Sequence, residues 1–109
     1  MTFKKIKIPL YRDEVWVLVC PFDAALHQLD KWGHGIAQDL SDCGACTIFP
    51  PNKPALIWTP CIKGNFAEFG HEVIHAAMYV LRRAGVKVDV ENHEALTYLF
   101  TFICDELHI

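Results

Sequence analysis

The sequence lacks several features that mark whole classes of protein. Its 109 residues contain no secretion signal, and no apolar run approaches the length of about eighteen residues that is needed to span a bilayer. A basic run is also missing and the net charge is −3, so we expect no nucleic acid partner and no anionic membrane surface. Since the chain is short and has no internal repeats or low-complexity segments, we expect a single domain over residues 1–109. Because a secretion signal is missing, we expect this domain in the cytoplasm.

Cysteine is present in an odd number, five, which with the missing secretion signal favours reduced thiols over a disulfide framework. Cys43 and Cys46 form a lone C-x-x-C. This pair could join Cys61 or His34 in a structural zinc site, serve redox chemistry, or simply supply small core residues. No second pair stands at the spacing of a zinc knuckle, so we favour the core interpretation.

Hydrophobic patterning predicts four strands and a helix before residue 60. Residues 4–10 alternate between lysine and apolar side chains, as in a half-exposed edge strand, whereas residues 15–20 are uniformly apolar, as in a central strand. A helix is expected from Pro21 to about Gly33. Two further strands, 45–49 and 55–59, are joined by a proline-rich turn and predict a hairpin.

The most specific chemical signal is the motif His71-Glu72-Val73-Ile74-His75. On an α-helix the residues i and i+4 share a face, so both imidazoles can bind one metal ion. Glu72 lies about 100° round the helix from His71 and can reach a metal-bound water without being a ligand. Zinc lowers the pKa of such a water, and the glutamate can take the proton.

The flanking residues support a helix around this motif. Asn65 can cap its start, with Glu68 completing a capping box, and Gly85 suits its end. Apolar residues occupy most of its circumference, so we expect a buried helix, in which two histidines and a glutamate would be costly unless paired or bound to metal.

Glu94 is the candidate for a third ligand, and eighteen residues separate it from His75. H-E-x-x-H with a glutamate at this distance resembles the gluzincin class of zinc metallopeptidases, in particular the compact minigluzincins, and short zincin-like proteins encoded by bacteriophages and prophages. The resemblance covers about the last forty residues well. It implies His71, His75 and Glu94 as zinc ligands and Glu72 as catalytic acid and base.

The sequence departs from that class at two positions, and it leaves alternatives open. His93 separates Asn92 from Glu94, and Tyr98 stands where many gluzincins carry an aspartate that orients a ligand. Tyr79, Tyr98 and His93 are candidates for stabilising an oxyanion, or else hydrogen-bond donors or packing residues.

The position of Glu94 depends on how the chain returns from the motif helix. It can reach the histidines if residues 86–92 are extended, whereas a tight hairpin would leave it near Leu81. Glu94 could also be a dipole-stabilised residue at the start of its helix.

These features predict an α+β, zincin-like domain. We expect a small twisted, mainly antiparallel sheet of three or four strands, a backing helix, the H-E-x-x-H helix and a C-terminal helix bearing Glu94. The expected function is a zinc metallopeptidase, its peptide or protein substrate lying along the strand Ala55–Thr59, where Trp58 lines the cleft or fills the core. The alternative is a catalytically inert zincin-fold protein that binds and regulates a host or phage protein.

Overall fold

The structure is a computed structural model that describes residues 1–32, 44–49 and 52–109. His34, Cys43, and the end of the first helix and part of the hairpin turn that the sequence predicts lie outside the described residues. The elements are, in chain order, β1 (Thr2–Ile8), a 3₁₀ turn (Pro9–Tyr11), β2 (Asp13–Val19), α1 (Phe22–Lys31), β3 (Cys46–Ile48), β4 (Ala55–Thr59), α2 (Phe66–Arg83) and α3 (Glu94–Glu106).

The four strands form one sheet in the order β1-β2-β4-β3. β1 pairs antiparallel with β2, and β3 pairs antiparallel with β4, which confirms the predicted hairpin. β2 and β4 are parallel, with Val17 opposite Ile57. The α+β class is therefore confirmed, and the sheet is mainly antiparallel as expected, with one parallel pairing, β2 with β4, that the sequence did not predict.

The two faces of the sheet bury different layers. One face packs against α2 and α3 through a core of aliphatic side chains from β1, β2 and β4, which includes Ile6, Val17 and Ile57. The other face packs against α1, where Leu18 and Trp58 are buried with Leu29. The apolar runs 15–19 of β2 and 55–58 of β4 follow from this arrangement, because a central strand covered on both sides has no polar face.

The end of α2 matches the expected stop. Gly85 has a φ of +78°, its N–H donates to Arg82, and Val86 N–H donates to Leu81. This is the Schellman arrangement, in which glycine accepts the left-handed conformation at little cost. None of the helices in the described part of the chain is both long enough and apolar enough to cross a membrane.

The start of α2 differs from the prediction. Asn65 is the N-cap residue, but its side chain makes no capping hydrogen bond. Its Nδ2 instead donates to the carbonyl oxygen of Gly44, 2.6 Å away, and to Thr59 Oγ1 and the Cys61 carbonyl oxygen. The expected capping box with Glu68 is wrong because the amide is used to join the chain before β3 to the end of β4.

Candidate metal centre

The H-E-x-x-H motif lies in the middle of α2, on a helix with two distinct faces. The buried face packs on the sheet and α3 and is formed by Phe69, Gly70, Val73, Ala76, Ala77, Val80 and Leu81. His71 and His75 lie on the other face, where Ile74 is 41% and Met78 44% exposed. The expectation of a buried helix therefore holds for one face only, and the two exposed histidines carry no cost of burial that a metal would have to relieve.

The two imidazoles lie one turn apart and meet at their Nε2 atoms, which are 3.0 Å apart. Their ring planes are at 77° to each other, with ring centroids 4.7 Å apart. Without metal, one ring can donate its Nε2–H to the other when the two are in opposite tautomers. The i, i+4 spacing alone produces this approach, as the sequence predicts.

Glu72 lies beside this pair of histidines, and a residue of the sheet holds its side chain in place. Its Oε2 is 3.7 Å from His71 Nε2, and its side chain is 16% exposed where that of His71 is 66% exposed. The hydroxyl of Thr47 on β3 lies 2.8 Å from Glu72 Oε1, to which it donates, and 3.1 Å from the carbonyl oxygen of Glu72. The carboxylate is thus tethered on one side and faces the histidines on the other.

This donor set fits a transition metal ion. Ligand atoms of His71, Glu72 and His75 all lie within 4.8 Å of one another. Imidazole nitrogens bind zinc at about 2.0–2.1 Å, so two of them on a tetrahedral ion are about 3.3 Å apart. The observed 3.0 Å between the Nε2 atoms needs a shift of only a few tenths of an ångström to match.

Among the described residues, Glu94 does not belong to this cluster of ligand atoms from His71, Glu72 and His75. It is the first residue of α3, exposed, and follows the N-cap residue His93. The ring of Phe100 shows which side of α3 faces α2, because it lies 3.8 Å from the place that a Cβ on Gly70 would occupy. Glu94 is six residues earlier, about 120° away round the helix, so its exposed side chain leaves α3 on a different side from Phe100.

Tyr98 is one turn after Glu94 and shares that outward face. It lines a groove of about 480 Å³ together with residues 8–11, which belong to the end of β1 and the 3₁₀ turn. Tyr79 lines a different groove, with His75. Because Tyr79 follows His75 by one turn and Tyr98 follows Glu94 by one turn, the three-ligand set would have brought the two tyrosines to one neighbourhood, and the structure places them in different grooves.

The connection from α2 to α3 is bent instead of extended. Asp89 and Asn92 form an isolated bridge, and Asp89 Oδ1 accepts the N–H groups of Glu91 and Asn92 at 2.9 Å each. The side chain of Asn92 donates to the Lys87 carbonyl oxygen at 2.7 Å. This turn shortens the reach of the connection, which was expected to return Glu94 to the level of the histidines.

An open groove of about 630 Å³ adjoins His75. Tyr79 forms one wall and packs against Phe49, with ring centroids 4.6 Å apart and ring planes at 39° to each other. The remaining lining residues are Met78, Arg82, Gly85, Val86, Lys87 and Val88. Of the three oxyanion candidates, Tyr79 is the one in a cavity with a motif histidine, while His93 is an exposed cap residue.

The expected substrate strand Ala55–Thr59 lies inside the described sheet and not at its edge. β4 is paired on both sides, by β2 and by β3, and all five of its residues are buried. Trp58 is a core residue, 1% exposed, and its Nε1 donates to the Cys20 carbonyl oxygen at 3.0 Å. Among the described strands, β3 is the outermost one that packs against α2.

Thr47 is the functional candidate that sequence reasoning missed. Its neighbours Cys46 and Ile48 pack toward α1, so alternation along the strand sends Thr47 to the α2 side. A hydroxyl inside an otherwise apolar predicted strand was a visible signal, but the sequence could not show that Glu72 is its partner.

Comparison with models of protein families, with curated proteins and with solved structures found no match for this chain. Its function therefore has to be inferred from its own residues and their geometry.

Proposed function

We propose that this protein is a zinc-dependent hydrolase that cleaves peptide bonds, with His71 and His75 as metal ligands and Glu72 as general base. The observation that carries the proposal is the meeting of the two Nε2 atoms, 3.0 Å apart, with a carboxylate oxygen 3.7 Å from one of them. Two imidazoles are a donor pair that zinc favours, and a carboxylate next to them is what hydrolysis by activated water requires.

The roles of the residues follow from their positions. Zinc bound by the histidines would polarise the substrate carbonyl and strengthen water as a nucleophile at neutral pH. Glu72 would accept the proton from the attacking water and deliver it to the leaving amine, since its free oxygen faces the histidines while the other is bonded to Thr47. Tyr79 is the candidate to hydrogen-bond the developing oxyanion, because it shares the groove with His75.

The substrate in this proposal is a peptide whose scissile carbonyl group lies in the groove that adjoins His75. The strand Ala55–Thr59 does not serve as its docking strand, because both sides of β4 are occupied. A reducing cytosol suits the protein, in which Cys20, Cys61 and Cys104 are free thiols.

A second function is favoured by a specific observation, the outward orientation of Glu94. Catalytic zinc sites usually have three protein ligands, and the geometry supplies two imidazoles with Glu72 as the nearest carboxylate. If Glu72 serves as the third ligand, no general base remains beside the metal. The protein would then be a zincin-like binding and regulatory protein without catalytic activity.

Two measurements on matched variants separate these functions. Zinc affinity is measured by calorimetric titration with a competing chelator, and cleavage is measured on a fluorogenic peptide library. The hydrolase proposal predicts that Glu72→Gln keeps the zinc affinity of the wild type and loses about 10²–10⁴ in rate. His75→Ala should lose both zinc and activity.

The remaining outcomes are equally clear. Loss of zinc by Glu72→Gln would identify Glu72 as a ligand and contradict its role as base. Glu94→Gln should leave zinc affinity unchanged if α3 keeps its observed orientation, whereas a drop of tenfold or more would support the three-ligand set that the gluzincin resemblance implies. A zinc-loaded wild type that cleaves nothing would favour the binding protein.

A further inference from the structure

The hydrogen bond between Thr47 and Glu72 joins the sheet to the metal centre. The two residues are 25 positions apart in sequence, and the 2.8 Å contact joins their side chains directly. Since a hydroxyl has one proton, the charged carboxylate oxygen is its better acceptor, and the helix carbonyl at 3.1 Å is a weaker second contact. The bond occupies Oε1, so only Oε2 is turned toward His71.

The tether decides between the two roles open to Glu72. Its Oε2 already lies 3.7 Å from His71 Nε2, so a rotation of the carboxylate would bring an oxygen within bonding distance of an ion held by the histidines. A carboxylate free to rotate would become a ligand, because oxygen donors bind zinc well. A carboxylate held on its far side stays beside the ion and remains available for a proton.

We propose that Thr47 is a positioning residue that holds the Glu72 carboxylate off the metal and keeps it as a base. This rests on the proposed function. It deepens that function by naming a residue on β3, outside the motif, that decides whether the H-E-x-x-H helix is catalytic or only binds metal. Thr47 acts through Glu72, to whose carboxylate its hydroxyl donates.

The test uses the metal alone as its first probe. Thr47→Val keeps the branched shape and strand preference and removes only the hydroxyl, whereas Thr47→Ser keeps the hydroxyl and is the matched control. We expect Thr47→Val to bind zinc about tenfold to a hundredfold more tightly than the wild type, because Glu72 joins as a ligand once a hydrogen bond to a charged group is lost. Thr47→Ser should bind like the wild type.

Two further readouts identify Glu72 as the cause. The visible absorption of the Co²⁺-substituted protein should change in Thr47→Val, since the number of oxygen ligands changes, and should be unchanged in Thr47→Ser. In the double variant Thr47→Val with Glu72→Gln the gain in affinity should vanish. Peptide cleavage by Thr47→Val should fall about tenfold to a hundredfold in kcat with little change in KM.

Equal zinc affinity and equal Co²⁺ spectra for wild type, Thr47→Val and Thr47→Ser would overturn the positioning role while leaving the hydrolase proposal intact. A wild type that binds no zinc would overturn both, and that result appears before any variant is made. If circular dichroism shows that Thr47→Val is misfolded, Thr47→Ala removes the hydroxyl with a smaller side chain and is subject to the same comparisons.

Discussion

Substitution of Asn65 by aspartate distinguishes two accounts of how the metal-bearing helix begins. The sequence makes Asn65 a side-chain cap, a role in which aspartate is as good as asparagine and its charge gains about 0.3–1 kcal/mol from the helix dipole. In the structure the amide is a donor instead, to the Gly44 carbonyl oxygen at 2.6 Å and the Cys61 carbonyl oxygen at 3.3 Å. An aspartate carboxylate cannot donate and would face both carbonyl oxygens.

The expected loss of stability in Asn65→Asp follows from replacing a hydrogen-bond donor with an acceptor. Removing a donor from a partly buried acceptor costs about 1–3 kcal/mol, and a negative charge next to two carbonyl oxygens adds to it. Thr59 Oγ1 also donates to Gly44 at 2.9 Å and could turn to the new carboxylate, which offsets part of the cost. We therefore expect Asn65→Asp to lose about 1–2 kcal/mol, or about 4–15 °C in Tm for a domain of this size.

The assay is thermal and urea denaturation of wild type, Asn65→Ala and Asn65→Asp, followed by circular dichroism. Alanine removes the donor without adding charge, so the structure predicts the stability order wild type, alanine, aspartate. Side-chain capping predicts instead that aspartate equals or exceeds the wild type and that alanine is the least stable. An aspartate variant more stable than the alanine variant would refute the donor role.

Two further predictions concern conformation and thiol chemistry. Gly85→Ala should destabilise the protein by about 1 kcal/mol, measured by urea denaturation, because a φ of +78° is unfavourable for a residue with a Cβ; an unchanged stability would contradict the Schellman end of α2. Burial raises the pKa of the thiols of Cys20 and of Cys104, so less thiolate is present at any given pH and alkylation is slowed, whereas Cys61 is exposed. Peptide mapping after iodoacetamide treatment at pH 8 should show Cys61 modified well before the other two, and equal rates would contradict their burial.

Local sequence patterns predicted where the strands lie along the chain better than they predicted which strands pair with one another. The strands β1, β2, β3 and β4 fall within two residues of their expected starts, since alternation and apolar runs are properties of the strand itself. The parallel pairing of β2 with β4 could not be read in the same way. It depends on which central strand lies beside which, and the two equally apolar sequences fit either direction.

The same distinction holds for the metal centre, where the contact within one helix was predictable and the contact between two elements was not. His71 and His75 meet because four residues on one helix fix their relation, and the sequence contains that information completely. Thr47 and Glu72 come together only through the packing of β3 on α2, which a strand pattern does not specify.

The failure to bring Glu94 to the site has a cause that was visible in the sequence. A spacing of eighteen residues states how far along the chain a ligand stands, but it does not state which side of the next helix carries it. Ile103 is completely buried, and nine residues at 100° each place Glu94 about 180° from it. Burial of Ile103 and Leu99 orients α3, so a glutamate opposite them is turned to solvent whatever its distance from His75. The ligand spacing therefore predicts a zinc ligand where the apolar periodicity predicts only a solvent-facing side chain, and zinc titration of Glu94→Gln decides between them.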